Sequence, residues 1–281
     1  MKQIMNIIKQ SFEILEQEDW RDWGAEKQVE RVGRTCYKSE DKITPNSYKQ
    51  FVQRMVSSRH YAMLEHGTLY MQIPISYYDK RRVENYKDNP YSHVNIIDNT
   101  GYVTTNLRVL YENHWLNDLR FLSPYTEHHE LRITVKFICN RQVSHEFVRH
   151  RVFSFAQEST RYCNYSKDKF GSTLTYIKPV GLDLEDEVGR KLINHLFDTE
   201  CMYFDMIQQG LTPQIAANCL PNMLKTELVM TGFVKDWIHF FNLRSLGTTG
   251  KPHPQAEALA TPLYKEFINR NYIKYENKLL V

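Results

Sequence analysis

LRITVKFICNRQVSHEFVRHRVFSFAQESTRY, residues 131–162, sets the architecture of this chain. Leu131, Ile133, Val135 and Phe137 alternate with Arg132, Thr134 and Lys136, the period-two pattern of a half-buried strand. Residues 141–150 then read as a short helix with Ser144 as its local cap. The helix runs out into RHRVFSFAQESTRY, residues 149–162. The end of a strand–helix unit is a common place for ligand-binding residues. Arg149, His150, Arg151 and Arg161 sit there among Phe153, Phe155 and Tyr162. Guanidinium groups grip phosphate through a planar fork and stack on flat rings. Ser154, Gln157, Ser159 and Thr160 add donors and acceptors. Together these residues describe a pocket for a flat, phosphorylated anion.

On the N-terminal side, residues 47–59 carry Phe51, Val52 and Met55 at helical spacing. Leu69, Met71, Ile73 and Ile75 share one face of a strand. Residues 77–100 are polar, tyrosine-rich and irregular; 103–106 read as a short strand and 107–119 as a helix. On the C-terminal side, residues 185–209 form an amphipathic helix that Gly210 stops. Thr212 and Pro213 open the next helix as cap and first-turn proline, and Pro221 closes it. Residues 227–233 read as a strand, and 235–245 and 254–270 as helices. Helices and strands mix without regular alternation, and no repeat or linker interrupts the chain. The expectation is a single domain, 1–281, of the α+β class: a mostly antiparallel or mixed central sheet flanked by helices.

A net charge of +3 over 281 residues lacks the bias of a dedicated nucleic-acid binder. The five cysteines are odd in number and none forms a CxxC pair, which argues against a disulfide framework and a zinc site. HEFVRH, residues 145–150, nearly matches a zinc-protease motif, but the second histidine comes one place too late for a shared metal. Ser159 lies outside any Gly-x-Ser-x-Gly elbow and has arginines, not a base, beside it, so it reads as a ligand contact. MKQIMNIIKQ is too short and polar for a signal peptide and no apolar run approaches a membrane span, which sets the expectation of a cytoplasmic protein.

Arg149-His150-Arg151 followed after seven residues by Ser159 resembles the signature of the flavin-dependent thymidylate synthases, the ThyX family. HYAMLEH, residues 60–66, resembles that family's N-terminal histidine block, and WIHFFNLR, residues 237–244, its C-terminal motif. The likeness is to phage or bacterial members and runs from about Val29 to Ala260. It implies an enzyme that reductively methylates dUMP to dTMP. The carbon would come from 5,10-methylenetetrahydrofolate, NADPH would reduce bound FAD, and active sites would be shared within a homotetramer. It places His60, Glu65, Arg149, His150, Arg151, Gln157, Lys235 and His239 around the FAD. It places Glu146, Arg149, Gln157, Glu158, Ser159, Thr160, Arg161 and Arg244 around the dUMP, with Glu146 reaching in from a neighbouring subunit. Arg244 is the catalytic residue it implies, acting on the uracil ring. His253 resembles a histidine near the folate and flavin.

The chain also departs from the family's pattern. Ala62 replaces a common hydroxyl residue, Phe233 an asparagine and Lys235 an arginine. Ala217 stands where a phosphate-binding arginine is common, which leaves the phosphate to Arg161 with Asn218 or Lys225. From the residues alone two other functions stay open: an RNA- or single-strand-binding module using arginine and aromatic stacking, and a flavin reductase without methyl transfer. His66 is open in the same way between a ligand contact and a structural role.

Overall fold

The computed structural model describes residues 5–76, 79–161, 163–167 and 171–273. In chain order its elements are β1 (Asn6–Ile8), β2 (Ser11–Ile14), α1 (Gly24–Tyr37), α2 (Ser47–Ser57), β3 (Thr68–Pro74), α3 (Lys80–Asp88), β4 (His93–Ile97), β5 (Thr100–Asn106) and α4 (Leu107–Glu112). There follow β6 (Arg132–Asn140), α5 (Arg141–Phe147), β7 (Ser154–Gln157), β8 (Thr175–Ile177), α6 (Glu187–Gln208), α7 (Pro213–Ala216), β9 (Lys225–Phe233), α8 (Val234–Arg244) and α9 (Pro254–Asn269). The fold is α+β with mainly antiparallel sheets.

The alternation in β6 has the expected consequence. Ile133, Val135, Phe137 and Cys139 are buried on one face, against Leu228 and Met230 of β9 and Trp237, Phe240 and Phe241 of α8. α9 closes this core with Leu259, Leu263 and Phe267. The sheet order is β2-β6-β9-β7, every pair antiparallel, with Arg132 opposite Phe233 and Asn140 opposite Lys225. Its other face packs Val229 and Ala156 against Val32 of α1.

Two of the three direct joints between strand and helix use an asparagine. The Asn140 side chain accepts from Val143 N at 2.8 Å and caps α5; Asn106 accepts from Val109 N at 3.2 Å and caps α4. Ser144 is therefore not the cap expected from the sequence: its hydroxyl donates to Arg141 O from inside the helix. Asn140→Ala is expected to cost about 1 kcal/mol, read as a lower urea midpoint at unchanged m-value.

The segment 77–100 is more regular than its sequence suggests. It contains α3 and β4; Tyr77 and Tyr78 lie outside the described residues. Only Val83 and Tyr86 of α3 are buried, so its apolar stripe is too thin to read. β4 and β5 form a hairpin whose turn residues, Asp98 and Asn99, both have positive φ (47° and 61°), the geometry that matches strand twist. With β3 they make a three-stranded sheet over a second core that includes Met71, Ile73, Val103 and Leu110. The helix expected over 107–119 breaks after Glu112; His114 turns left-handed (φ 61°) and a 3-10 helix, Leu116–Phe121, follows.

α6 is capped by Asp186, which accepts from Gly189 N at 2.6 Å, and ends before Gly210 at φ 85°. β1 and β8 pair in parallel beside it. α7 is a single turn continued by a 3-10 turn, Ala217–Cys219, and the Thr212 side chain makes no cap bond.

Candidate active site

Phe147 and Phe153 pin the two ends of the turn that carries the basic signature. Phe147 is fully buried, its ring 4.9 Å from that of Phe240. Phe153 lies 4.7 Å from the ring of Trp237. It also packs against Gly232, where an added Cβ would come within 2.5 Å of its ring. Between these anchors Val148, Arg149, Arg151 and Val152 are exposed, while His150 turns inward and is 6% exposed.

His150 is held by Arg244 at the end of α8. Arg244 Nε donates to His150 Nε2 at 3.1 Å, Nη1 to Glu146 Oε2 at 2.6 Å and Nη2 to Glu146 O at 3.1 Å. One guanidinium thus ties together α5, the signature turn and α8. Accepting at Nε2 leaves the proton of neutral His150 on Nδ1. Burial, with the charges of Arg244 and His239 adding to it, pushes the His150 pKa down to about 4. His239 is exposed, its ring 6.1 Å from that of His150. Lys235 is also exposed, its Nζ 5.3 Å from the Phe233 ring.

β7 carries the second half of the signature. Gln157 Nε2 donates to Ser144 Oγ at 2.9 Å and to Thr226 Oγ1 at 3.2 Å, fastening β7 to α5 and β9. Glu158 is 3% exposed: its carboxylate accepts from Lys225 Nζ at 2.9 Å and from the Tyr165 hydroxyl at 3.2 Å. Lys225 also reaches Glu227 at 2.6 Å, and Glu227 meets Lys38 at 2.7 Å and Lys136 at 2.8 Å. Burial alone would raise the Glu227 carboxyl, but the surrounding lysines hold it at about 2. Ser159 N donates to Cys36 O at 3.1 Å, and its Oγ accepts from Arg161 N at 3.3 Å. Thr160 is half-buried and Arg161 exposed; Tyr162 lies outside the described residues.

The N-terminal block folds as a 3-10 helix, Tyr61–His66, against the same sheet. His66 is fully buried, and its Nδ1 hydrogen-bonds Thr231 Oγ1 at 2.7 Å. Thr231 stands opposite Ser154 of β7 and bonds Thr134 at 2.8 Å. This placement sets His66 in the polar interior beside β9, with its Nε2 buried and without a hydrogen-bond partner among the described residues. Glu65 is paired with Arg108 of α4, and its carbonyl accepts from Arg132 Nη1 at 3.1 Å. His60 is exposed. His253 caps α9, accepting from Gln255 N at 3.2 Å. The two residues expected to help with phosphate are engaged elsewhere: Asn218 bonds carbonyls of its own turn, and Lys225 serves Glu158 and Glu227.

Two groupings emerge. Glu146, His150, His239 and Arg244 converge at the α5–α8 joint. Gln157 to Arg161 stand at the end of β7 over a lysine–carboxylate network. Arg108, Lys38 and Glu227 carry no local motif, and only the fold brings them here. A cavity of about 720 Å³ opens elsewhere, and none of its lining residues belongs to the signature.

Burial makes acid sensitivity predictable. His150 and His66 have folded pKa values near 4 and 3, below the ordinary histidine value of 6.5. The unfolded chain therefore binds more protons below about pH 6.5. Stability from these two groups is present above that pH and is lost as pH falls through the folded values. The urea midpoint should drop between about pH 6.5 and 4, and His66→Gln should flatten that drop. An unchanged slope would remove His66 from the account.

A family model described as "Thymidylate synthase complementing protein" matches residues 94–269. A flavin-dependent thymidylate synthase of Pyrococcus furiosus is 29% identical over 106 residues, 38% of this chain and 43% of that protein. The one of Synechocystis is 27% identical over 140 residues, 47% of this chain and 65% of that protein. The matches thus span less than two thirds of these relatives. Among solved structures, a UMP/dUMP methylase, PolB, from Streptomyces cacaoi bound with 5-Br dUMP aligns at TM-score 0.47 and 14% identity, covering 94% of this chain and 93% of that one.

Proposed function

This chain belongs to the family of thymidylate synthase complementing proteins, and from that premise we propose that it is a flavin-dependent thymidylate synthase. Its reaction would be the reductive methylation of dUMP to dTMP. Methylenetetrahydrofolate would give the carbon and NADPH would reduce FAD.

The observation that carries this reading is the turn at Arg149–Arg151. Its two arginines are exposed, and neither meets a carboxylate at ion-pair distance among the described residues. Between them His150 is neutral and locked to Arg244. Two unmatched guanidiniums on one tight turn suit a pyrophosphate, and so fit the cofactor. When bound, the flavin supplies the reducing equivalents; the protein supplies orientation and charge.

Arg244 has the central role. Held by Glu146 and His150, its guanidinium is oriented before any ligand arrives, and it stabilises negative charge developing on the uracil oxygens. Ser159, Thr160 and Arg161 hold the nucleotide phosphate and so fix the ring. Glu158 contributes through the turn, because Lys225 and Tyr165 engage its carboxylate. Gln157 anchors β7 beneath the site. Glu65, His60, Lys235 and His239 surround the flavin, with Arg149 shared between the two ligands and Glu146 at the nucleotide. The functional assembly is a homotetramer with sites completed between chains. That reading is supported by the exposure of His60, Arg149, Arg151, Lys235 and His239 on one chain. Among the described residues no helix is long and apolar enough to cross a membrane.

The test is direct. Protein denatured after purification or reconstitution should release FAD, and tritium should leave [5-³H]dUMP only with NADPH and methylenetetrahydrofolate present. Absence of flavin after reconstitution rejects the reading. NADPH oxidation without tritium release would instead make the protein a flavin reductase.

A further inference from the structure

The cavity of about 720 Å³ lies between the start of α1, β3 and the N-terminal end of β6. Its walls include Trp20, Tyr70, Leu119, Leu122, Tyr125 and Arg132. Much of this lining precedes residue 94, outside the stretch matched by the family model. The Tyr70 and Tyr125 rings meet edge-on at 5.2 Å, forming an aromatic wall.

Arg132 is the residue out of balance. It is 9% exposed and meets no carboxylate at ion-pair distance among the described residues. Nη1 donates to Glu65 O at 3.1 Å and Thr68 Oγ1 at 3.2 Å, whereas Nε is buried without a partner and Nη2 has none among the described residues. Burial lowers the Arg132 pKa to about 10. A guanidinium buried without an ion-pair partner is costly, even stacked on the Phe233 ring at 5.4 Å with Glu65 and Asp236 acting from beyond ion-pair distance, and a carboxylate is its natural complement.

The acids of the same cavity do not supply that complement. Glu16 is paired with Arg270 at 2.5 Å, Glu18 with Lys27 at 2.5 Å and Asp19 with Arg21 at 3.6 Å. Glu26 stands on α1, where burial raises its pKa, and it makes no ion pair with Arg132. The cavity therefore offers an aromatic wall and one buried cation without an ion-pair partner among the described residues.

We propose that this cavity is a binding site for an aromatic carboxylate, its ring against Tyr70 and Tyr125 and its carboxylate on Arg132. The site is separate from the signature turn, and the proposal does not depend on the flavin chemistry. A charge-assisted bond to arginine should favour such a ligand at least about tenfold over its neutral analogue.

The experiment is calorimetric titration of the full chain with 2-naphthoate and with 2-naphthol. Naphthoate should bind at least about tenfold tighter, and should change the tryptophan fluorescence because Trp20 and Trp23 line the cavity. Arg132→Met should abolish the preference for the acid. Tyr125→Ala, on a half-exposed side chain, should weaken both probes together. The comparison of the two probes on the native protein decides the question even if Arg132→Met fails to fold. Equal affinity for acid and alcohol, no binding of naphthoate, or full naphthoate affinity in Tyr125→Ala overturns the proposal.

Discussion

Arg244→Ala is expected to lower kcat for thymidylate formation by about 10²- to 10³-fold while FAD stays bound. Three hydrogen bonds converge on this guanidinium, to Glu146 Oε2, Glu146 O and His150 Nε2, so its plane is fixed by the protein. A charge fixed in advance stabilises a transition state without reorganising, which is why its removal falls on turnover. Arg244→Lys should remain impaired, because a single ammonium cannot reproduce the fork that spans Glu146 and His150. A second readout separates this role from a folding defect. Burial is the main cause of the low His150 pKa, but the Arg244 charge adds to it, so in Arg244→Ala the ring should titrate closer to pH 6.5. Near-normal turnover in a folded, flavin-loaded variant would take Arg244 out of the mechanism.

Lys225→Met should destabilise the fold by about 3–5 kcal/mol near neutral pH. Lys225 lies between Glu158 and Glu227, both about 95% buried or more. Glu227 keeps Lys38 and Lys136 when Lys225 is lost, but among the described residues the Glu158 carboxylate keeps the Tyr165 hydroxyl and no cation at ion-pair distance. The stranded carboxylate is then a buried charge without its cation. Glu158→Gln in the same background should recover part of the loss, as a double-mutant cycle would measure. A loss under about 1 kcal/mol at pH 7 would mean that solvent reaches Glu158.

What the sequence revealed depended on whether a structural signal lies within one segment. β6 was legible because Ile133, Val135 and Phe137 alternate and are buried in one core, with Leu131 packed at its margin, and α6 because an apolar stripe ends at Gly210. α1 was not. Val29 and Val32 are its only large buried apolar residues, and much of its inner face is Gln28, Glu30, Thr35 and small residues. Those polar groups are satisfied by tertiary bonds, such as Gln28 Nε2 to Leu15 O at 3.1 Å. β7 is four residues long, too short for alternation to stand out. The site divides the same way. The residues from Arg149 to Arg161 form one contiguous motif. Lys38, Arg108 and Glu227 reach it from distant segments, and the buried state of Glu158 follows from partners its own neighbourhood does not contain.

The Asp98–Asn99 hairpin bears on the order in which the molecule assembles. β5 pairs with β4 across a two-residue turn and with β3 across a local segment that holds α3 and β4, so these contacts close with little loss of chain entropy. β2 must find β6, and β1 must find β8, more than about a hundred residues further along. The hairpin sheet should therefore nucleate, and the first two strands should dock late. During synthesis β1 and β2 leave the ribosome well before their partners exist. For that interval they are unpaired strand edges, the segments most open to mispairing and most in need of a chaperone.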